Sequence, residues 1–271
     1  MDNKQAMRRP PVATEPKITD YGNGIHNIFM PAGFNTYLVL GQEKALLVDT
    51  GMGVGSLKAV VDSITSLPVQ VLNTHGHPDH AGGNAEFGPA MIHPADKATA
   101  DRMANLAFRR ADIARIAGSE HPEMINMLQP DSENGFIFIE DGHVIDLGGR
   151  RLTVHHTPGH TVGSVCVFDE ATGTLFGGDT VQPNIGMMSI ESAPPDALLA
   201  GLKKIAPLDV KRVMYGHNMP ISVQEGRTLL DTAITLLEGI IAGTAEYTLN
   251  ERSGAAIKRY SLNGVNVSLR A

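Results

Sequence analysis

Four side chains of the types that bind metal ions lie within one six-residue segment, His75-Gly76-His77-Pro78-Asp79-His80. If the chain is extended there, His75 and His77 project to one side, and the turn that Pro78 favours brings Asp79 and His80 to a neighbouring position. Imidazole nitrogens and a carboxylate suit zinc, and they also suit iron and manganese. The segment follows an apolar run that is typical of a buried strand, Val69 to Leu72. It therefore predicts two adjacent metal ions at the end of a strand.

Three later segments each end an apolar strand with a glycine and one more side chain that can bind a metal. They are Thr157-Pro158-Gly159-His160, Phe176-Gly177-Gly178-Asp179 and Met214-Tyr215-Gly216-His217. A glycine before each candidate ligand lets the backbone bend sharply and present the side chain to a shared cleft. Together with the first segment, these residues complete the ligands of two metal ions: His75, His77, Asp79, His80, His160, Asp179 and His217.

Two metal ions at such a site would support hydrolysis. Metal binding lowers the pKa of water from its value in bulk solvent to about 7, so that a hydroxide held between two ions can act as the nucleophile at neutral pH. Asp79 is the candidate to take the proton and return it, and no serine or cysteine nucleophile is needed. The pattern is consistent with metal-dependent hydrolysis, and the residue types favour a transition metal without choosing among zinc, iron and manganese.

The composition of the chain favours one α/β domain that acts on a small molecule. The chain has 271 residues, of which 42% are hydrophobic, and a formal net charge of -7. With no long run of Lys and Arg, an acidic chain is a poor match for nucleic acid. The single cysteine, Cys166, excludes an intrachain disulfide, is expected in the core and favours a cytoplasmic location. No segment approaches the length of a membrane span, so no membrane partner is expected.

Short strands and helices recur along the chain, which predicts a mixed α/β arrangement. Residues 1–16 are expected to form a flexible tail, residues 17–242 the catalytic domain and residues 243–271 a C-terminal appendix. Alternating apolar residues around Asn263-Gly264 predict a β-hairpin in this appendix. The hairpin is a candidate element for a homodimer.

An insert of about 94–135 separates the first ligand segment from the others. The spacing of its apolar residues predicts a helix from Pro94 to Gly118, with the arginines on a solvated face: Arg102, Arg109, Arg110 and Arg115. Its larger apolar residues would either form an apolar wall over the cleft or pack the insert's own core. They are Met103, Leu106, Phe108, Met124, Met127 and Leu128.

The order and spacing of the HxHxDH segment, His160, Asp179 and His217 resemble those of the metallo-β-lactamase-fold hydrolases, over about residues 24–220. The resemblance implies a four-layer αββα sandwich of two mixed sheets flanked by helices, with a dinuclear metal site at the sheet edge. It implies that one metal is held by His75, His77 and His160, the other by Asp79, His80 and His217, and that Asp179 bridges them. Asp49, in Leu47-Val48-Asp49-Thr50-Gly51, matches an early family aspartate that orients ligands.

Departures from subfamily patterns narrow the choice of substrate class. The commonest β-lactamases carry a cysteine in place of Asp179, flavodiiron-type oxidoreductases a glutamate in place of His77, and lactonases often a tyrosine in place of Gln182. The segment from Phe176 to Thr180 resembles that of glyoxalase II, which cleaves a thioester. Of that enzyme's basic glutathione-binding module, only Lys258 and Arg259 are candidate counterparts in residues 243–271. A small ester, thioester or lactone is the expected substrate.

Three other interpretations stay open at this point. A mononuclear iron dioxygenase that acts on persulfides also uses an HxHxDH loop, and a phosphodiesterase would use two metals. A binding protein without activity would usually have lost ligands. The other histidines, among them His93 and His156, are expected to be structural.

Overall fold

The computed structural model describes residues 15–117, 122–217, 223–252 and 254–271. Most of the expected flexible tail and the C-terminal end of the expected insert helix at Gly118 lie outside these residues. Within them, no helix is both long enough and apolar enough to cross a bilayer.

The described residues form three sheets. The first contains, in spatial order, β1 (Lys17–Asp20), β2 (Ile25–Met30), β3 (Phe34–Leu40), β4 (Ala45–Val48), β5 (Val69–Leu72), β6 (Ala90–Ile92) and β7 (Phe136–Phe138). The second contains β8 (Val144–Asp146), β9 (Arg151–His156), β10 (Val165–Asp169), β11 (Thr174–Gly178) and β13 (Arg212–Tyr215), in the order β13-β11-β10-β9-β8. The third contains β12 (Asn184–Met187), β14 (Tyr247–Arg252), β15 (Ala255–Leu262) and β16 (Val265–Arg270), in the order β12-β16-β15-β14.

Seven α-helices connect or cover these strands within the described residues. They are α1 (Leu57–Ile64), α2 (Pro78–Ala81), α3 (Lys97–Met103), α4 (Leu106–Ala117), α5 (Glu123–Asn126), α6 (Pro195–Ile205) and α7 (Val223–Ile241).

The first two sheets pack face to face and each carries helices on its outer side. Between them lie apolar residues of both sheets, such as Leu46 and Val48 of β4 against Val167 of β10. Helix α1 packs on the outer face of the first sheet through Leu57 and Val61, and α6 and α7 pack on the outer face of the second. Strand β4 is buried along its whole length, which explains its continuous apolar sequence. The result is the four-layer αββα sandwich expected from the sequence.

Cys166 belongs to this core, as the sequence predicted. Its side chain is fully buried in β10, in the cluster of residues that packs against α6 and α7. Burial raises the pKa of the Cys166 thiol to about 12, so the thiol stays protonated and is a small apolar core group.

The third sheet ties the C-terminal strands to the centre of the chain. Asn263 and Gly264, with φ of 44° and 85°, form the turn between β15 and β16. Strand β12, which the sequence pattern did not indicate, pairs in parallel with β16. Because β12 begins five residues after Asp179, residues 265–270 lie beside a loop that carries a candidate metal ligand.

The insert differs from its prediction in two respects. Its helical pattern is interrupted at Ala104-Asn105, where the side-chain oxygen of Asn105 accepts a hydrogen bond from the Phe108 N–H and begins α4. Arg109 is fully buried, whereas a solvated face was expected. Its guanidinium donates to the carbonyl oxygens of Ala104 and Pro130, because a buried arginine must satisfy its donors locally.

Candidate metal centre

The candidate ligands follow strand ends at one edge of the sandwich. The HxHxDH segment follows β5 of the first sheet, Asp179 and His217 follow β11 and β13 of the second, and His160 lies between β9 and β10. Strands β11 and β13 are parallel, so their carboxyl ends meet at the same place. The ligands therefore come from both sheets.

The local fold of the HxHxDH segment separates its ligands into two pairs. His77 is extended, with φ of -69° and ψ of 155°, and Pro78 opens the short helix α2. Proline suits the first position of a helix because its φ is already helical. Asp79 and His80 consequently lie on α2 and turn away from the direction of the preceding strand.

The structure brings all seven predicted ligands together. They fall into three overlapping groups, and within each group the candidate ligand atoms lie within 4.8 Å of one another. The groups are His75, His77 and His160; His75, His80 and Asp179; and Asp79, His80 and His217. His75 and His80 each belong to two groups, so the three groups form one continuous centre.

Asp179 lies between the two outer groups. Its Oδ2 is 3.6 Å from His160 Nε2 on one side and 3.0 Å from His217 Nε2 on the other. Its Oδ1 is 3.5 Å from His80 Nε2. One oxygen of Asp179 is therefore within 3.6 Å of a ring nitrogen from each of the two outer groups.

Four histidines are held by the ring nitrogen that points away from the centre. Their outer partners are Thr74 Oγ1 for His75 Nδ1 (3.2 Å), Glu191 Oε1 for His77 Nε2 (3.2 Å), Asp49 Oδ2 for His80 Nδ1 (2.8 Å) and the Gly186 carbonyl for His160 Nδ1 (2.6 Å). A carboxylate or carbonyl oxygen can only accept, so it holds the ring N–H on its own side. The opposite nitrogen of those rings then offers its lone pair to the centre.

Three buried polar atoms of the centre have no hydrogen-bond partner: His75 Nε2, His80 Nε2 and Asp179 Oδ1. Buried polar atoms nearly always have a partner. These three belong to one of the groups described above, and a nitrogen lone pair and a carboxylate oxygen are both donors to a cation. The residues present therefore fit a bound metal ion.

The charges around the centre agree with that fit. Burial lowers the pKa of His75 well below its usual value and lowers that of His160 to about 4, so both rings are neutral, as metal ligands must be. Burial also lowers the pKa of His80, but Asp49, Asp79 and Asp179 outweigh it and raise the pKa to about 10. The three carboxylates therefore favour positive charge at His80, either as a proton on its ring or as a bound cation that displaces this proton.

Asp49 does not face the centre and instead holds the first ligand loop. Its Oδ1 accepts from the Thr74 N–H at 2.7 Å, and its Oδ2 accepts from His80 Nδ1 at 2.8 Å. The backbone of Asp49 has a φ of 62°, a conformation that aspartate tolerates better than most residues. The carboxylate thus contacts a candidate ligand, His80, from behind.

Gly216 is required by the close packing of the ligands. A Cβ atom at this position would lie 2.5 Å from Asp179 Oδ1 and 2.6 Å from His80 Cε1. Neither neighbour can move without displacing the centre, so the glycine before His217 allows a close approach as well as a turn.

Two acidic residues that sequence reasoning missed hold the ligand loops. Asp96 is fully buried and accepts from the N–H groups of Gly76 (2.7 Å) and Gly163 (2.8 Å) and from the Thr161 hydroxyl (2.7 Å). It therefore joins the loop of His75 to the loop of His160. An acidic residue shortly after a short strand was the only local signal.

Glu191 is the second missed residue. It accepts a hydrogen bond from His77 and pairs with Arg102 of α3 at 3.2 Å. The hydrogen bond from His77, supported by the charge of Arg102, lowers the pKa of Glu191 to about 2. Nothing in its local sequence distinguishes it, because its partners come from distant segments.

A cleft of about 790 Å³ opens over the centre. Its floor includes His77, Asp79, His160, Asp179 and His217. Met103 and Phe108 of the insert line one wall, whereas Met124 packs in a small core with Met52 and Ile113. Some apolar residues of the insert therefore line the cleft, and others pack the insert's own core, so both alternatives from the sequence hold.

His93 and His156 form a separate pair. Their rings stack at 3.8 Å with an angle of 8° between them, and His156 Nε2 is 2.9 Å from the Val162 carbonyl oxygen. Neither residue belongs to the three groups of the metal centre.

Comparison with known proteins relates the chain to a thioesterase and to a hydrolase. The bovine (Bos taurus) acyl-coenzyme A thioesterase MBLAC2 is 31% identical over 166 residues, which is 54% of this chain and 58% of that protein. Hydroxyacylglutathione hydrolase of Xylella fastidiosa (strain M23) is 28% identical over 197 residues, 71% of this chain and 64% of that protein. The chain thus spans less than two thirds of either enzyme.

The solved structure of TTHA1623 in a di-iron-bound form aligns with a TM-score of 0.53 and 28% identity, over 70% of this chain and 90% of that one. A family model, described as the metallo-beta-lactamase superfamily, matches residues 33–217. That range contains Asp49 and all seven residues of the metal centre. With the αββα sandwich and the cluster at its edge, this match shows that the chain belongs to the metallo-β-lactamase superfamily.

Proposed function

We propose that this protein is a metal-dependent hydrolase that cleaves an acyl thioester. The observation that carries the proposal is the buried centre itself, in which His75, His80 and Asp179 each keep one polar atom without a hydrogen-bond partner in the protein. Seven side chains that can bind metal ions surround those atoms. A purely structural role would leave these buried atoms unsatisfied at a cost of about 1–3 kcal/mol each.

We propose that the two outer groups would each hold one ion. His75, His77 and His160 would hold the first ion, Asp79, His80 and His217 the second, and Asp179 would be shared between them. Zinc is the proposed metal because nitrogen-rich sites with a few carboxylates suit it. Iron and manganese suit the same ligands, and the related structure of TTHA1623 is a di-iron-bound form.

Two bound divalent ions supply Lewis acidity and an activated water at neutral pH. Asp79 is placed to handle the proton: its side chain is 18% exposed at the floor of the cleft, with Oδ2 3.4 Å from His217 Nε2. In our proposal this carboxylate accepts the proton of the attacking water and returns it to the leaving thiolate. His160, held by the Gly186 carbonyl, keeps the neighbouring wall of the cleft in place.

A thioester is preferred over the other acyl substrates for two reasons. Both enzymes compared above, an acyl-coenzyme A thioesterase and a hydroxyacylglutathione hydrolase, act by their names on acyl-thiol compounds. The cleft volume of about 790 Å³ also lies within the range of sites for extended small molecules. Esters and lactones remain in the tested panel, because the same centre could attack their carbonyl groups.

The test is hydrolysis by protein loaded separately with zinc, iron or manganese, beside an Asp79→Asn variant. Release of acid and thiol from matched esters, thioesters and lactones is measured together with metal content. We expect thioester cleavage by the wild type, and a loss of at least about a hundredfold in kcat for Asp79→Asn.

The absence of acyl hydrolysis by protein that holds two ions per chain would contradict the proposal. Oxygen uptake with a persulfide by the iron-loaded protein would then identify the dioxygenase alternative.

A further inference from the structure

The C-terminal sheet has two faces with different roles. Tyr260 of β15 and Val265 and Val267 of β16 pack against the core that contains α7. The opposite face carries Ala255 and Ile257 of β15 and Arg270 of β16, which line the cleft over the metal centre. Side chains alternate between the faces of a strand, so this division follows from the sequence of β15 and β16.

Arg270 is held beside Ile257 by the pairing of the two strands. Ile257 and Arg270 are direct partners in the antiparallel register, and partners in such a pair have neighbouring side chains on the same face. Ile257 is 5% exposed and anchors this end of the sheet. The guanidinium of Arg270 is therefore carried on a rigid strand at the wall of the cleft.

Arg270 lines the cleft and no carboxylate neutralises its charge. Among the residues that the structure describes, its side chain forms no hydrogen bond and no ion pair. Arg115, on the insert wall, is paired with Asp112, whose Oδ1 is 2.9 Å from its Nε.

The two basic residues noted in the sequence behave differently from Arg270. Lys258 lies over the ring of Tyr247, 5.2 Å from its centre, on the face away from the cleft. Arg259 is on the cleft side, where it donates to Asn184 Oδ1 at 3.3 Å and to Asn266 Oδ1 at 3.4 Å. No carboxylate of the described residues pairs with Arg259, so its charge adds to the positive potential of this wall.

We infer that Arg270 binds an anionic group on the leaving-thiol part of the substrate, which makes this protein selective for anionic thioesters. A guanidinium matches a carboxylate or a phosphate with two parallel hydrogen bonds. Met103 and Phe108 line the same cleft and offer apolar contacts to the acyl part. The scissile bond is then placed at Asp79 and Asp179, which line this cleft as well. The inference rests on the proposed thioesterase function.

The test uses three thioesters with the same butanoyl group and different thiols. The coenzyme A thioester carries phosphates, the glutathione thioester carries carboxylates, and the N-acetylcysteamine thioester is neutral. The values of kcat and KM are measured for zinc-loaded wild type, Arg270→Gln, Arg270→Lys and Lys258→Gln. Lys258→Gln is the matched control, since it removes a positive charge from the other face of the same sheet, on the neighbouring strand β15.

For Arg270→Gln we expect the KM of an anionic thioester to rise roughly ten- to hundredfold, because one charge-assisted contact with the substrate is lost. The value of kcat should not change. The KM of the neutral thioester stays the same, and Arg270→Lys recovers part of the loss. If the KM of the coenzyme A thioester rises, the group that Arg270 binds is a phosphate. If the KM of the glutathione thioester rises, that group is a carboxylate. Binding of free coenzyme A and of S-methylglutathione, measured by calorimetry, weakens in the same variant and gives a readout that needs no turnover.

The results separate this inference from the proposed function. If the wild type cleaves none of the three thioesters, the proposed function is contradicted. If it cleaves them but Arg270→Gln changes KM equally for neutral and anionic substrates, or not at all, only the role of Arg270 is contradicted. A melting temperature equal to that of the wild type confirms that the variant is folded.

Discussion

In four of the ligand histidines, the partner of the outer ring nitrogen decides which nitrogen faces the centre. His77 is the informative case, because its outer nitrogen contacts Glu191, 114 residues away in the sequence. Its other nitrogen, Nδ1, lies 2.9 Å from His160 Nε2, inside the first group of ligands. Glu191 is therefore a positioning residue that acts on the metal centre through His77.

Replacing Glu191 with alanine should weaken zinc binding by about 10–100-fold, because His77 loses the partner that orients its ring. Glu191→Gln should lose less, since an amide oxygen still accepts the His77 N–H. Zinc affinity is measured by competition with a coloured chelator. Arg102→Gln is the control: it removes only the ion pair to a half-exposed arginine. An unchanged affinity in Glu191→Ala would rule out the positioning role.

At the level of elements, the start of α3 holds together two ligand loops that belong to different sheets. Asp96 immediately precedes α3 and uses both carboxylate oxygens: one accepts from Gly163 and the other from Gly76 and Thr161. The loop after β5 and the loop before β10 are thereby kept in register. The insert that α3 begins is thus part of the scaffold of the site.

Asp96→Asn should lower the free energy of unfolding by about 3 kcal/mol. The amide keeps one acceptor oxygen, but its NH2 group replaces the other and faces an N–H or hydroxyl donor of the ligand loops. Urea denaturation of metal-free protein measures the loss without a contribution from metal binding. Asp101→Asn, on the same helix, removes an exposed ion pair with Lys97 and should cost less than about 1 kcal/mol. Equal stability of the two variants would be inconsistent with the role of Asp96.

At the level of the whole molecule, the centre is complete only when the two sheets are docked. His75 to His80 come from the first sheet, and His160, Asp179 and His217 come from the second. Near the site the sheets are also joined by hydrogen bonds from Tyr37 Oη (2.7 Å) and Asn35 Nδ2 (3.0 Å) to the Tyr215 carbonyl. A metal bound at this edge would therefore stabilise the entire sandwich.

Removal of the metal should lower the melting temperature by several degrees, and zinc should restore it. A ligand at a hundred times its Kd stabilises the folded state by about 2.7 kcal/mol, and for a domain of this size each kcal/mol corresponds to about 2–4 °C. Scanning calorimetry with and without chelator measures the shift. Asp179→Ala, which lacks the central carboxylate, should show little response to zinc. A wild type that melts at one temperature in both conditions would contradict the predicted metal centre.

The residues that could be recognised in the sequence act through their own type and their immediate neighbours. The HxHxDH segment and the glycines before His160, Asp179 and His217 are local patterns, and each marks a strand end with a side chain that binds metals. The hydrophobic alternation of the strands and the Asn263-Gly264 turn are local in the same sense. Such signals can be recognised in the sequence because backbone geometry and side-chain chemistry depend on short stretches of chain.

Other residues acquire their roles from partners that are remote in sequence. Arg109 is buried among carbonyl groups, Glu191 holds His77 and Arg270 faces the cleft, although none has a local pattern that sets it apart from an ordinary charged surface residue. The pairing of β12 with β16, which puts Arg270 at the cleft, is also a contact between distant segments.

The sequence by itself thus determined the candidate ligands and a mixed α/β arrangement, because ligand types, strand periodicity and glycine turns are local properties; the layered sandwich followed from the family resemblance. Only the tertiary structure decided which groups hold the ligands, which insert residues line the cleft and which cation faces it. These depend on how the two sheets, the insert and the C-terminal strands pack against one another. That packing is set by the sum of many weak long-range contacts, which no short segment contains.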